Sequence, residues 1–193
     1  PIASLSSALS QNLGAYDTED VRSALGTISS SSEGLISFVQ SYRSLTHIAA
    51  PIRKAFYLRD LVNDSVTIAQ ANWPSAKVSY HELSEDIILY ADYGKISQVM
   101  NNLIKNAVQA GASDIDITAS IDKRERTVIN VANNGEPISE TGREQIFVPF
   151  YTTKGASGTG VGLSLCRQII RLNGGTINLT SSTPEATVFT IVL

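Results

Sequence analysis

Residues 98–110, "QVMNNLIKNAVQA", place amide side chains beside an apolar stripe on one predicted helix. Asn102 and Asn106 stand one turn apart next to that stripe, and Gln109 follows a turn further on. Asparagine is a mediocre helix former, so the amides call for an explanation. A structural explanation is that they cap or hydrogen-bond neighbouring loops. The residues of the stripe recur at the spacing of one packed face of a helix: Ile96, Val99, Met100, Leu103, Ile104, Ala107 and Val108.

The composition of the 193 residues is ordinary for a globular protein, with 42% hydrophobic and 17% charged residues. A net charge of −3 argues against general binding to nucleic acid or to an anionic membrane. No apolar run approaches the ~20 residues that a membrane span needs. The single cysteine, Cys166, excludes an internal disulfide framework and suits a reducing cytoplasm. Its apolar neighbours predict that it is a small buried hydrophobe.

The first part of the chain has a helical pattern. Residues 2–13 fit one helical face, and Asp17 is a plausible N-cap for a long helix over residues 18–47. From Val21 to Tyr42 the apolar positions alternate steps of four and three, which predicts a seam wide enough for a four-helix bundle. Two helices cannot bury such a seam, so we expect a homodimer that pairs two hairpins. The alternative is a hairpin that lies on its own domain.

The pattern changes to mixed α and β after the stretch "THIAAP" at 46–51, which predicts a linker. We therefore expect two domains, residues 1–49 and residues 50–193. In the second, the periodicities predict helices at 58–71, 93–110 and 162–173, strands at 77–82, 87–90, 115–121, 128–132, 176–180 and 187–192, and loops over 133–161.

A glycine-rich stretch, "ASGTGVGLSL" at 156–165, comes directly before a predicted helix. Glycines let a backbone approach a ligand closely, and a helix N-terminus offers free N–H groups to phosphate. Alone the pattern is weak, because a mobile glycine loop would look the same. It is not a dinucleotide fingerprint, since no strand leads straight into it, nor a P-loop, since no G-K-[ST] follows.

A second stretch, "VANNGEPIS" at 131–139, comes directly off a predicted strand. Taken alone it predicts a turn, because the dipeptide Asn-Gly is a strong turn signal.

In this order, "NNLIKNAVQA", "NNGEPI", "IFVPFYTTK" and "GTGVGL" resemble the N box, first G box, F box and second G box of the ATP-binding domain of sensor histidine kinases. That fold is shared with DNA gyrase. The resemblance covers residues 51–193, and the helical part resembles the dimerisation hairpin of such kinases, with "SSEGLISFVQSYRSLT" at 31–46 most like the nitrogen-regulation branch. It implies an α+β chain: a helical hairpin of a dimeric four-helix bundle, followed by a two-layer α/β sandwich.

The resemblance also implies a site for ATP and Mg²⁺. Asn102 and Asn106 fall on the N-box asparagines, whose oxygens help hold Mg²⁺ against the phosphates. Asn133 falls where the family usually has an aspartate that reads the adenine amino group, while Gly135 supports packing of the base and Ile138 lines its pocket.

Further positions follow from the F box and the second G box. Phe147 and Phe150 would anchor a flexible lid, and Lys154 would meet the terminal phosphate. The nucleotide-binding residues implied by the resemblance are Asn102, Asn106, Gln109, Asn133, Gly135, Ile138, Phe147, Lys154, Gly158, Thr159, Gly160, Val161, Gly162, Leu163 and Thr187.

The sequence departs from the family pattern at three positions. Asn133 replaces the usual acid, Pro137 replaces the second glycine of its box, and Gln109 stands where many relatives have a lysine. An amide oxygen can still accept a hydrogen bond from the adenine amino group. Lys154 becomes the main cationic candidate for the phosphates, and we expect Lys105 to be solvated.

The phosphoacceptor histidine of the family belongs to a box that ends "L-x-P-I", and here those last letters are Pro1 and Ile2. We therefore expect a fragment of a longer protein, with the acceptor a little over two helical turns upstream of Pro1. His47 and His81 are expected to be structural or surface residues rather than replacements for it.

The expected function is that of an ATP-dependent protein histidine kinase in a cytoplasmic two-component system. Its γ-phosphoryl would pass to the histidine and then to an aspartate of a response-regulator receiver, with no nucleic-acid or membrane contact by this fragment. Two alternatives remain. A gyrase-type ATPase would need a water-activating glutamate where Asn102 stands. A non-catalytic dimeric scaffold would explain the changed first G box.

Overall fold

The computed structural model describes residues 2–11, 16–46, 49–153 and 158–193. Its first compact unit contains helices α1 (Ile2–Gln11) and α2 (Thr18–Thr46). The helices pack together around Leu9, which is buried beside Val21 and Ile28. Asp17 caps α2 as predicted, because its Oδ1 accepts hydrogen bonds from the backbone N–H groups of the first turn at 2.9 and 2.8 Å.

The predicted seam along α2 is largely exposed in a single copy of the chain. Leu25, Leu35, Val39 and Tyr42 each keep about half of their surface accessible. Apolar side chains repeating at this spacing form a surface suited to packing against further helices.

The second compact unit, Ile48–Tyr151 with Gly160–Leu193, contains the α/β part of the chain. Its elements are β1 (Lys54–Tyr57), α3 (Leu58–Asn72), β2 (Lys77–Glu82), β3 (Ile88–Ala91), α4 (Tyr93–Gln109), β4 (Asp114–Ile121), β5 (Thr127–Asn133), α5 (Glu140–Gln145), α6 (Gly162–Leu172), β6 (Thr176–Ser182) and β7 (Thr187–Val192). Every predicted helix and strand of this part is present, with ends shifted by no more than two residues.

Two elements are additions to the predicted set. The four residues of β1 pair with β3, and only Phe56 among them is half-buried. Their sequence does not show the alternation of polar and apolar residues that predicts a strand. Helix α5 interrupts the stretch predicted as loop, and its six residues "ETGREQ" carry no apolar stripe. It begins because the Ser139 hydroxyl accepts a hydrogen bond from the backbone N–H of Gly142 at 3.1 Å.

Within the described residues of the second unit, the main sheet has the strand order β2-β4-β5-β7-β6. Strands β2 and β4 are parallel, and the other neighbours are antiparallel. Helices α3, α4 and α6 contact one another in that order and pack on strands β2, β5 and β6, so they form one layer over one face of the sheet. This is the predicted two-layer α/β sandwich.

The core lies between the helical layer and the sheet. The apolar stripe of α4 is buried as predicted except for Val108, which is half-buried at its edge. Every second residue of β4 also belongs to this core: Ile115, Ile117 and Ala119 are almost fully buried. Cys166 of α6 is also buried, and that burial raises the pKa of its thiol to about 12. At neutral pH it is a protonated hydrophobe, as predicted.

Candidate nucleotide-binding site

The amide row lies along α4 at the border between its buried and exposed faces. Asn102 and Asn106 are half-buried, and Gln109 is exposed at the end of the helix. Lys105 is exposed, in agreement with the prediction that it is solvated. Because two half-buried amides stand one turn apart, their side chains can present oxygens to the same ligand.

Asn102 lies against the first part of α6. Its Oδ1 is 3.9 Å from the position that a Cβ on Gly162 would occupy, and its side chain also reaches the Cys166 thiol one turn further along α6. Gly162 is the first residue of that helix. An amide oxygen therefore stands beside a helix N-terminus, where free backbone N–H groups and the helix dipole favour phosphate.

The glycine-rich approach to α6 is fixed by one backbone hydrogen bond. The N–H of Phe150 donates to the carbonyl oxygen of Gly160 at 2.8 Å, and both residues have left-handed backbones, with φ of 67° and 65°. A Cβ on Gly160 would lie 2.4 Å from the carbonyl carbon of Phe150. Only glycine fits there, for reasons of both space and backbone angle. Among the predicted residues on either side of Gly160, Val161 is buried, Gly158 and Leu163 are half-buried, and Thr159 is exposed.

The F-box phenylalanines are held in different ways. Phe147 is buried, and its ring packs edge-on against that of Phe189 in β7, with 6.3 Å between the two ring centroids. The guanidinium of Arg167 lies over the Phe147 ring, 4.2 Å from the centroid of that ring. The Phe150 side chain is 40% exposed, so that residue is fixed through its backbone. Arg167 belongs to no motif in the sequence that would have predicted its contact with Phe147.

A second group of predicted residues lies where the end of β5 pairs with the start of the antiparallel strand β7. Asn133 is 6% exposed and pairs with Thr187 across the two strands. Its Nδ2 donates to the Thr187 carbonyl oxygen at 3.2 Å, and its Oδ1 accepts from the Gly135 N–H at 3.1 Å. Both ends of the amide are thus fixed by backbone groups.

Ser182 extends this group to Ile138. The Ser182 hydroxyl accepts from the Ile138 N–H at 2.8 Å and exchanges a hydrogen bond with the Thr187 hydroxyl at 3.1 Å. Arg143 donates to the carbonyl oxygens of both Ile138 and Ser182. Sequence reasoning missed Ser182 and Arg143, because nothing local in the chain indicates a contact across about 40 residues.

Gly135 joins this group to the end of α4. A Cβ at that position would lie 2.9 Å from the Ala110 carbonyl oxygen, the same oxygen that accepts from the Glu136 N–H at 2.8 Å. The neighbouring Asn134 has a structural role, since its Oδ1 accepts from the N–H groups of Ser113 and Asp114 at 3.0 Å each. The close approach keeps the first G box against the helix that carries the amide row.

The predicted residues thus fall into two groups, one around Asn102 and the start of α6 and the other around Asn133 and Thr187. Lys154 and His47 lie outside the described residues. His81 sits on the edge strand β2, with its Nε2 3.5 Å from Asp116 Oδ1, in neither group. Among the described residues, no cluster of His, Cys, Asp or Glu could hold a metal, and no helix is long and apolar enough to cross a membrane.

The chain matches the family model for the histidine kinase-, DNA gyrase B-, and HSP90-like ATPase over residues 91–193. Among curated relatives, the sensor histidine kinase ZraS of Salmonella typhi is 31% identical over 144 residues, covering 72% of this chain and 31% of the relative. ZraS of Escherichia coli is 32% identical over 152 residues, covering 77% of this chain and 32% of the relative. The chain spans about a third of the length of these relatives.

Solved structures that resemble this chain are also histidine kinases. The catalytic domain of the histidine kinase ThkA superposes with a TM-score of 0.65 at 33% identity, covering 73% of this chain and 94% of that one. ThkA in complex with the response regulator TrrA gives a TM-score of 0.73 at 25% identity, covering 100% of this chain and 57% of that one. With four motifs in order, the α/β sandwich and these matches, the chain belongs to the histidine kinase-, DNA gyrase B- and HSP90-like ATPase family and contains an ATP-binding domain of the sensor histidine kinase type.

Proposed function

We propose that this chain binds MgATP as the catalytic part of a protein histidine kinase, which passes the γ-phosphoryl to a histidine and then to an aspartate on a receiver domain. In this proposal residues 50–193 are the ATP-binding domain and residues 1–49 belong to the dimerisation and phosphotransfer hairpin. The proposal is supported most by one observation: the Asn102 oxygen lies beside Gly162 at the start of α6.

That arrangement suits a metal triphosphate. Asn102 and Asn106 would offer two neutral oxygens to Mg²⁺, a hard cation that needs only one or two protein ligands when phosphates supply the others. Bound Mg²⁺ would neutralise charge on the phosphates. The backbone from Gly158 to Gly162 would bind the phosphates at the helix N-terminus, and Lys154 would meet the terminal one. Catalysis would consist mainly of positioning and charge neutralisation.

At the other end of the nucleotide, Asn133, Gly135, Ile138 and Thr187 would form the base pocket. Asn133 and Thr187 are buried and hydrogen-bonded to their surroundings, so their polar groups are held in place before a ligand arrives. A preorganised pocket loses less free energy in ordering when it binds.

The partners we propose are a second copy of the chain and a response-regulator receiver. The half-exposed seam of α2 supports the homodimer, since pairing two hairpins would cover it. The receiver is supported by the solved complex of the relative ThkA with the response regulator TrrA. We place these reactions in the cytoplasm.

A gyrase-type ATPase is a weaker candidate. Such an enzyme needs a carboxylate to activate water, and Asn102 stands at that position. A neutral amide is a very poor base, so it would leave water near the γ-phosphate unactivated. A kinase gains from this, because its phosphoryl group is then kept for the histidine.

Calorimetric titration with MgATP tests the proposal and separates it from a non-catalytic scaffold. The unaltered chain should bind, and Asn106→Ala should lose most of the Mg²⁺-dependent binding with little loss of fold. Asn101→Ala, next to the amide row on the same helix, is the matched control and should bind as the parent does. Equal binding by Asn106→Ala and the parent would contradict the proposed role of the amide row.

A further inference from the structure

We infer that the base pocket accepts 6-oxo purine nucleotides, the inosine and guanosine class, as well as 6-amino ones, because Asn133 presents both a donor and an acceptor to the base. The inference rests on the proposed function, in which Asn133 faces the base. It concerns which bases the pocket accepts rather than whether ATP binds.

The orientation of the Asn133 amide follows from its partners. The Thr187 carbonyl can only accept, so it must face Nδ2, and the Gly135 N–H can only donate, so it must face Oδ1. A flipped amide would put oxygen against oxygen and N–H against N–H. At 6% exposure, with the Thr187 side chain itself tied to Ser182, the residue has little room to rotate.

Within the described part of the chain, each end of the fixed amide keeps one unused hydrogen-bonding capacity. Nδ2 has two hydrogens and gives one to Thr187, while Oδ1 has two lone pairs and uses one for Gly135. A 6-amino group can donate to the free lone pair, and a 6-oxo group can accept from the free hydrogen. The amide therefore offers a partner to either type of purine.

A carboxylate at position 133 would behave differently. Its oxygens only accept, so it would pair with a 6-amino group but face a 6-oxo oxygen without a hydrogen between them. Sites that leave a buried polar group unpaired discriminate strongly between ligands. The same carboxylate would also face the Thr187 carbonyl oxygen, which now receives the Nδ2 hydrogen. The surroundings of residue 133 thus favour an amide.

The experiment compares MgATP with MgITP, which carry the same triphosphate, so that phosphate and metal contacts cancel in the ratio of dissociation constants. For the unaltered chain we expect the two constants to agree within about tenfold, and for Asn133→Asp we expect the ratio to move by at least about tenfold in favour of ATP. A parent chain that prefers ATP more than about hundredfold, or a ratio unchanged by Asn133→Asp, would overturn the inference.

A second variant covers the case in which Asn133→Asp does not fold, which circular dichroism would reveal. Asn133→Ala removes both capacities, so ATP and ITP should weaken by similar factors. Loss confined to ATP would mean that only Oδ1 reads the base, and the inference would be wrong. A parent chain that binds neither nucleotide would overturn the proposed function, and the inference with it, whereas ATP binding with ITP excluded would overturn the inference alone.

Discussion

The carboxylate of Asp92 holds the backbone of Ile52, forty positions earlier in the chain. Its Oδ2 accepts from the Ile52 N–H at 2.8 Å, while its Oδ1 accepts from the Lys95 N–H at 3.1 Å and so caps α4. One side chain therefore fixes both the entry to the α/β unit and the start of the helix that carries the amide row. The Asp92 N–H in turn donates to Asn173 Oδ1 at the end of α6.

Asp92→Ala should lower the free energy of unfolding of the α/β unit by about 1–2 kcal/mol, because the helix cap and the bond to Ile52 are both lost. Urea unfolding monitored by circular dichroism would measure the change. Glu144→Ala, at an exposed position of α5, is the control and should stay within about 0.5 kcal/mol of the parent. Equal stability of Asp92→Ala and the parent would show that the cap contributes nothing.

The contribution of Asp92 should depend on pH. Partial burial opposes its ionisation, but the N–H donors of Ile52 and Lys95 outweigh that effect and hold the pKa of Asp92 below its usual value. A carboxyl whose folded pKa is depressed stabilises the protein above its unfolded pKa, and this stabilisation is lost as the pH falls through the folded pKa. The stability difference between the parent and Asp92→Asn should therefore be largest near neutral pH and shrink below about pH 4. Unfolding at a series of pH values would reveal a difference that grows toward acid if this sign is wrong.

Gly160→Ala should disrupt the approach to α6, because its Cβ would overlap the Phe150 backbone and its φ of 65° disfavours any side chain. We expect MgATP binding to weaken by at least about tenfold, with stability lowered by about 1–3 kcal/mol. Gly34→Ala is the matched control, since a Cβ there meets nothing within 4 Å. In the middle of α2 it should leave binding unchanged and stabilise its helix by about 0.5–1 kcal/mol. Unchanged binding by Gly160→Ala would remove this segment from the proposed phosphate site.

Asn102→Glu should keep some nucleotide binding and raise the slow background hydrolysis of ATP, because a carboxylate at that position can take a proton from water. We expect an increase of roughly tenfold or more in steady-state phosphate release. Asn101→Glu introduces the same side chain at the adjacent position and should not raise the rate. Equal rates in the two variants would contradict the proposed reason for an amide at residue 102.

The long elements of the fold could be predicted because their periodicity is local. The stripe of α4 and the alternation from Ile115 to Ile121 carry the signal within a few turns or residues. The strand β1 and the helix α5 could not, since four and six residues provide too few positions for a period to show. Their existence depends on the pairing of β1 with β3 and on the cap from Ser139.

For the candidate site, individual residues could be predicted from the sequence, but the contacts between them could not. The family resemblance implied Asn133 and Thr187 separately, and the observed contact between them depends on the register in which β5 and β7 pair. Register depends on how the apolar faces and turns of several strands fit together, so the sequence of either strand alone does not determine it. The same holds for Ser182, whose contacts with Ile138 and Arg143 depend on the place of β6 in the sheet.

The single backbone bond between Phe150 and Gly160 has a consequence for how this chain can vary. Because this hydrogen bond fixes the two ends of the intervening segment to each other, a longer segment need not displace either end. Closing a longer segment costs little, since each doubling of length adds only about 0.6 kcal/mol. Insertions between these two residues are therefore changes in chain length that the α/β fold can tolerate.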